Sequence, residues 1–103
     1  MARYMLFALN GPTEGEGDEA VYNDWYHTVH MPDLLALDGV ISARRFKMMS
    51  NNRANWPYVA TYEIETDDIN AVLNEMGTKI RPFDPTFDRS KSGMVLAMEI
   101  TDQ

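Results

Sequence analysis

The side chains able to do chemistry crowd into one stretch of this 103-residue chain, Asp24-Trp25-Tyr26-His27-Thr28-Val29-His30-Met31-Pro32-Asp33. His30 is the candidate general acid or base, because an imidazole with its ordinary pKa of about 6.5 exchanges a proton near neutral pH. Tyr26, one helical turn earlier on the same side, is placed to donate to a substrate oxygen or to orient the imidazole. Asp33, just beyond Pro32, is a candidate to hold the other ring nitrogen and fix the tautomer. A purely structural role for His30 competes with these: a cap on a backbone carbonyl at the negative end of a helix. Trp25 reads as core first and as a substrate-stacking wall second. His27 and His30 with Asp24 or Asp33 make a two-histidine, one-carboxylate set on paper. His27, however, falls off the Tyr26–His30 row, so neither a metal nor any organic cofactor is expected.

Other candidates lie farther along. Tyr62 is able to reach the same site, where its hydroxyl needs a partner if buried. Arg45 is suited to a carboxylate or phenolate, but a cross-strand pair with Glu63 is the preferred expectation. Phe83 and Phe87, held by Pro82 and Pro85, suit either the mouth of a pocket or a subunit contact. Gly11, Gly15 and Gly17 lack the spacing and context of a phosphate-binding loop. No serine sits in a nucleophile-elbow sequence.

The elements that must position these residues follow from periodicity. Residues 3–10 alternate with both faces largely apolar, which predicts a strand covered on both sides. Asn10-Gly11-Pro12 ends it, and residues 13–18 form a polar loop. A helix then starts near Asp18, with Asp18 or a neighbour expected to cap it and the acids Asp18 and Glu19 suited to its positive end. At about 100° per residue, Val21/Trp25/Val29 and Tyr22/Tyr26/His30 form neighbouring rows on one buried face. Pro32 disfavours helical geometry at Met31, so the helix is expected to stop or kink at His30–Met31. A short helical turn from Pro32 to Leu37 follows, closed by Asp38-Gly39.

A second strand is expected over residues 40–49, with Ile41, Ala43, Arg45 and Lys47 on one face and Val40, Ser42, Arg44, Phe46 and Met48 on the other. A hairpin loop at 50–55 leads to a third strand over 58–65, with Tyr58, Ala60, Tyr62 and Ile64 on one face. Thr66-Asp67-Asp68 starts a helix with the stripe Ile69, Val72, Leu73, Met76, which Gly77 ends or bends. A fourth, almost wholly apolar strand spans 92–101.

The order is therefore β-α-β-β-α-β in a single domain spanning 1–103, an α+β, ferredoxin-like arrangement with an antiparallel four-stranded sheet and helices on one face. Strands apolar on both faces need a second cover, and stacking two sheets across a twofold axis supplies it, so a homodimer is expected.

Bulk properties narrow the partners. A formal charge of -7 opposes a general nucleic-acid or anionic-membrane surface. No apolar run is long enough to span a membrane, and the N-terminal residues read as a strand rather than a signal peptide. The absence of cysteine removes disulfides, thiolate metal sites and thiol nucleophiles, and fits a cytoplasmic home. Eight methionines suit core packing first, and an adaptable apolar pocket second.

Trp25-Tyr26, His30, Pro32 and Asp33, followed by Gly39-Val40, Ser42-Ala43, Arg45-Phe46 and residues 58–63, resemble the EthD-like branch of the dimeric α/β-barrel proteins. The resemblance implies a ferredoxin-like subunit whose sheet packs on its twin's, with a cavity between helices and sheet, and His30 as the motif histidine. That group includes cofactor-independent monooxygenases, isomerases, polyketide cyclases, haem-degrading proteins and members without known activity. Three expectations stay open. The first is a cofactor-independent lyase, isomerase or cyclase that moves a proton through His30 on a small aromatic or polyketide-like compound. The others are a cofactor-free phenol monooxygenase and a non-catalytic ligand-binding or stress-response dimer.

Overall fold

A computed structural model describes residues 1–50 and 55–101; residues 51–54 of the expected 50–55 loop lie outside the described residues. Four strands form one antiparallel sheet: β1 (Ala2–Asn10), β2 (Val40–Lys47), β3 (Tyr58–Thr66) and β4 (Gly93–Met98), in the order β2-β3-β1-β4. Helices α1 (Asp18–Trp25) and α2 (Met31–Leu35), joined by a π-helical turn (Tyr26–His30), and α3 (Ile69–Thr78) complete the ferredoxin-like α+β architecture. A 3₁₀ turn, Arg89–Lys91, leads into β4.

Strand alternation sorts the sheet into two faces. Leu6 opposite Tyr62, Ala8 opposite Ala60 and Asn10 opposite Tyr58 point to the helices. There they meet Tyr22, Trp25, Tyr26, Leu34 and Leu37 in the buried core. Phe7, Val59 and Val95 belong to the opposite face, where Val95 is 54% exposed and Phe46 45% exposed. The second cover that β1 was expected to need is thus not supplied by this chain. β4, at the sheet edge, leaves Met94, Leu96 and Met98 exposed as well.

Several expected details are corrected. Of the two cap options at the start of α1, the neighbour Gly17, at φ 81°, takes the position and Asp18 opens the first turn. The Asp18 carboxylate instead accepts from Thr13 Oγ1 at 2.6 Å and from the Gly15 amide at 3.1 Å, tying down the preceding loop. Val21 is 51% exposed, so the buried face of α1 is narrower than its apolar pattern. In β2 the pairing slips between Val40 and Ser42, leaving Ile41 as the extra residue of a bulge. The slip moves Val40 onto the core face with Ala43 and Arg45, whereas strict alternation separated them. β4 is shorter than expected, yet the Glu99 amide still donates to the Arg3 carbonyl at 2.8 Å. Gly77 does not end α3, which runs to Thr78 after an Asp68 cap that accepts from the Ala71 amide.

The largest correction concerns Pro32. The helix does not stop at His30–Met31; Met31 keeps helical angles, φ -61° and ψ -45°. Proline has no N–H and its ring crowds the carbonyl four residues back. The chain accommodates it by widening the turn before it: the Met31 amide bonds to the Tyr26 carbonyl, five residues back.

Candidate functional site

That widened turn sets the geometry of the rings. In a regular α-helix, residues five apart point about 140° away from each other. With i→i+5 bonding, five residues make roughly one turn, and the sixth side chain comes back over the first. The His30 imidazole accordingly lies on Trp25, ring centroids 4.7 Å apart and planes 22° from parallel. Tyr26 meets the same imidazole edge-on at 5.0 Å, and Phe83 closes on it at 4.9 Å. Phe87 packs edge to face with Phe83 at 4.7 Å. The loop carrying both phenylalanines is stapled to the segment just after β1 by the Thr13 amide on the Thr86 carbonyl, 2.8 Å, and the Asp88 amide on the Gly11 carbonyl, 3.1 Å.

Between this ring cluster and the start of β4 lies a cavity of about 380 Å³, enough for a small organic guest. Tyr26, His30, Phe83 and Phe87 form one side; Ala8, Asn10, Gly93 and Met94 form the sheet side; Arg89 and Ser92 complete the wall. A wider open groove of about 900 Å³ runs past Glu14, Glu19, Lys47 and Lys91, away from these rings.

His30 is 6% exposed, and its Nδ1 is buried without a hydrogen-bond partner. Burial pulls its pKa down to about 4; the Asp33 charge opposes that shift and the Arg45 charge adds to it. The imidazole is therefore neutral through the physiological range. The expected Asp33–His30 hydrogen bond is corrected: both Asp33 carboxylate oxygens are taken by Arg81. Its guanidinium reaches them at 2.7–3.1 Å and its backbone amide at 2.9 Å. A bidentate guanidinium outcompetes a neutral imidazole for a carboxylate. Those same hydrogen bonds hold the Asp33 carboxyl below the usual carboxylate range.

Asn10, which in the sequence marks only a turn, is the polar residue that pattern reasoning missed. It is buried to 3% exposure. Its Oδ1 accepts from the Tyr22 hydroxyl, and its Nδ2 donates to the Tyr26 oxygen at 3.0 Å. A single polar residue on the core face of an otherwise apolar strand was the available signal. Burial pushes the Tyr26 pKa up, against the opposing Asn10 hydrogen bond, so this phenol stays protonated.

The remaining candidates lie off the cavity wall. Trp25 backs His30 from behind. Tyr62 is 1% exposed; its hydroxyl is buried beside the Tyr26 hydroxyl, and burial drives its pKa far up. Arg45 stands opposite Ala60, three residues from Glu63 along β3, and Glu63 instead stands opposite Ser42, whose Oγ donates to it at 2.8 Å. The Arg45 guanidinium rests over the Tyr26, Tyr58 and Tyr22 rings at 4.1, 4.8 and 5.1 Å. Its Nη1 donates to Asn23 Oδ1 at 2.9 Å and lies 3.2 Å from Nε2 of the exposed His27. His27 is thus a surface partner of Arg45 and does not approach His30's cavity. Among the described residues, no three histidine, aspartate or glutamate side chains gather closely enough to hold a metal ion.

Comparison with known proteins places the fold. No protein-family profile matches the chain. A 61-residue segment, 59% of this chain, is 36% identical to Core atranone cluster (CAC) protein 1 of Stachybotrys chlorohalonatus, and spans only 26% of that longer protein. A ferredoxin-like Dabb family protein of Mesorhizobium loti superposes over 97% of both chains with a TM-score of 0.58 at 9% identity. An ethyl tert-butyl ether D (EthD) family protein of Bacillus halodurans superposes with a TM-score of 0.56 at 11% identity, covering 97% of this chain and all of the other. No helix among the described residues is long and apolar enough to cross a membrane.

Proposed function

We propose that this chain, which has the fold of the EthD-like dimeric α/β-barrel proteins, is a cofactor-independent enzyme. It moves a proton on a small aromatic or polyketide-like compound held in the 380 Å³ cavity, as a lyase, isomerase or cyclase. The observation that carries the reading is a neutral, largely buried His30 on the wall of a cavity lined by Tyr26, Phe83 and Phe87. An imidazole held among aromatic rings with its Nδ1 unpartnered costs stability, which fits a ring positioned for use rather than for packing. The π-helical turn that aims this ring is a feature often found at functional sites.

His30 takes a proton from a carbon next to a carbonyl, or from a phenol, and returns it to the product. As the imidazole gains charge, the guest oxygen becomes anionic, and the two charges form an ion pair inside a poorly solvated pocket. Tyr26 donates a hydrogen bond to that oxygen. The chain Tyr22 to Asn10 to Tyr26 runs donor to acceptor throughout, so each link polarises the next and leaves the Tyr26 hydrogen for the guest. Phe83 and Phe87 supply stacking faces, and Trp25 stacks on His30 and holds the imidazole in place. The Stachybotrys relative, named for atranone, supports a small organic guest. The exposed apolar sheet face supports a homodimer, and the lack of cysteine accords with a cytoplasmic setting.

The test is a mass-spectrometric screen of aromatic and polyketide-like carbonyl compounds, read before and after incubation. Gain or loss of water or a small fragment by the wild type, abolished in His30→Gln with the fold retained by circular dichroism, is the expected result. Undiminished turnover by His30→Gln removes the mechanism.

A further inference from the structure

The cavity wall is uneven in charge. No aspartate or glutamate lines it, although acids outnumber bases by 16 to 9 in the chain. The one cationic side chain on the wall is Arg89. Nearby cations are committed elsewhere: Arg81 to Asp33 at 2.7 Å and Lys91 to Glu14 at 3.4 Å. Arg89 forms no ion pair among the described residues; its guanidinium lies over the Phe83 ring, 5.1 Å from the centroid. The adjoining carboxylate, Asp88, is occupied by the Ser90 amide and hydroxyl at 3.0 and 2.6 Å. The 3₁₀ turn that carries Arg89 is closed by Ser92 Oγ donating to the Arg89 carbonyl at 3.2 Å.

We infer that Arg89 recognises a carboxylate on the guest, so the compound that enters the cavity is an aromatic acid bound ring-inward and carboxylate at the rim. The inference rests on the reading of this cavity as a ligand site and narrows its substrate class. A guanidinium over an aromatic ring and without an ion-pair partner has N–H donors left for a planar anion. With the imidazole neutral and no acid on the wall, that guanidinium is the local positive field in a chain whose overall charge repels anions. Selectivity for acids therefore comes from one side chain.

Calorimetric titration of the full-length chain with 2-naphthoate and with 2-naphthylmethanol, the same ring with a neutral head, tests it. The wild type binds the acid about tenfold more tightly, the size of one charge-assisted contact. Arg89→Gln erases that preference and Arg89→Lys restores part of it. Arg44→Gln, which removes an exposed charge resting on Phe46, leaves it intact. Equal binding of the two probes by the wild type, a preference that survives Arg89→Gln, or an equal loss in Arg44→Gln overturns the role of Arg89 while the cavity remains a ligand site. Failure of both probes to bind the wild type removes the ligand site itself, and this inference with it.

Discussion

His30 ties pH to stability through its burial. The unfolded chain takes up a proton at this imidazole near pH 6.5, whereas the folded chain does so only near 4. Between those values the unfolded state binds more protons, so the contribution of His30 is complete above 6.5 and is lost as pH falls toward 4. At about 1.4 kcal/mol per pH unit, the full difference is on the order of 3 kcal/mol. Urea unfolding at pH 7.5 and 4.5 should show a clear loss in the wild type and a smaller one in His30→Phe, whose ring keeps the stack on Trp25. Equal losses in both would mean that the imidazole is solvated. Asn10 makes a second residue-scale case. Asn10→Leu leaves two phenolic hydroxyls in the core without their partner, at roughly 1–3 kcal/mol each. The expected fall in denaturation midpoint should be matched by a lower turnover than the stability loss explains, since Tyr26 is no longer polarised.

At the scale of elements, the π-helical turn and two backbone devices decide where the rings go. Gly39 opens β2 at φ 94°, and a methyl there would sit 3.3 Å from the Glu65 carbonyl oxygen. The Gly39 carbonyl in turn accepts from the Glu65 amide at 2.8 Å. Gly39→Ala should therefore cost about 1–2 kcal/mol in chemical denaturation, from the left-handed backbone and the crowding together; a neutral substitution would show that this turn relaxes freely. The Arg81–Asp33 clamp joins α2 to the segment that leads into Phe83 and Phe87. Asp33→Asn removes the charge from the clamp and should weaken guest binding in the titration above more than it lowers the melting temperature. Unchanged affinity would show that the aromatic loop holds itself.

For the molecule as a whole, the sheet face away from the helices is the unfinished surface. Phe7, Phe46 and Val95 share it, and no element among the described residues covers them. Burying such a face against a second copy gains roughly 25 cal/mol per Å² of apolar area, against self-repulsion between two acidic chains. Val95→Lys places a charge in the middle of the face and should convert a dimer to a folded monomer in sedimentation velocity. A wild type that already sediments as a monomer would end the twofold-stacking proposal.

The sequence alone determined the order of elements, the alternation of the sheet and the short aromatic segment around His30. Those follow from local periodicity and from turn residues such as Asp38-Gly39, which act within a few positions of themselves. It also picked out Tyr26, His30, Phe83 and Phe87, which do share a cavity wall. The partners of the charged groups were decided only in three dimensions. Arg81 lies 48 residues from Asp33, and the register of β2 on β3 sets Arg45 opposite Ala60 and gives Glu63 to Ser42. Asn10 looked like part of a turn until the fold set two tyrosines beside it. Pro32 was legible as a disturbance of the helix, but not as a widened turn, because the choice between ending a helix and re-spacing it depends on what the far side must bury. Leu34, beyond Pro32, is buried in the core, and that apolar contact with distant parts of the chain lies outside what local spacing records.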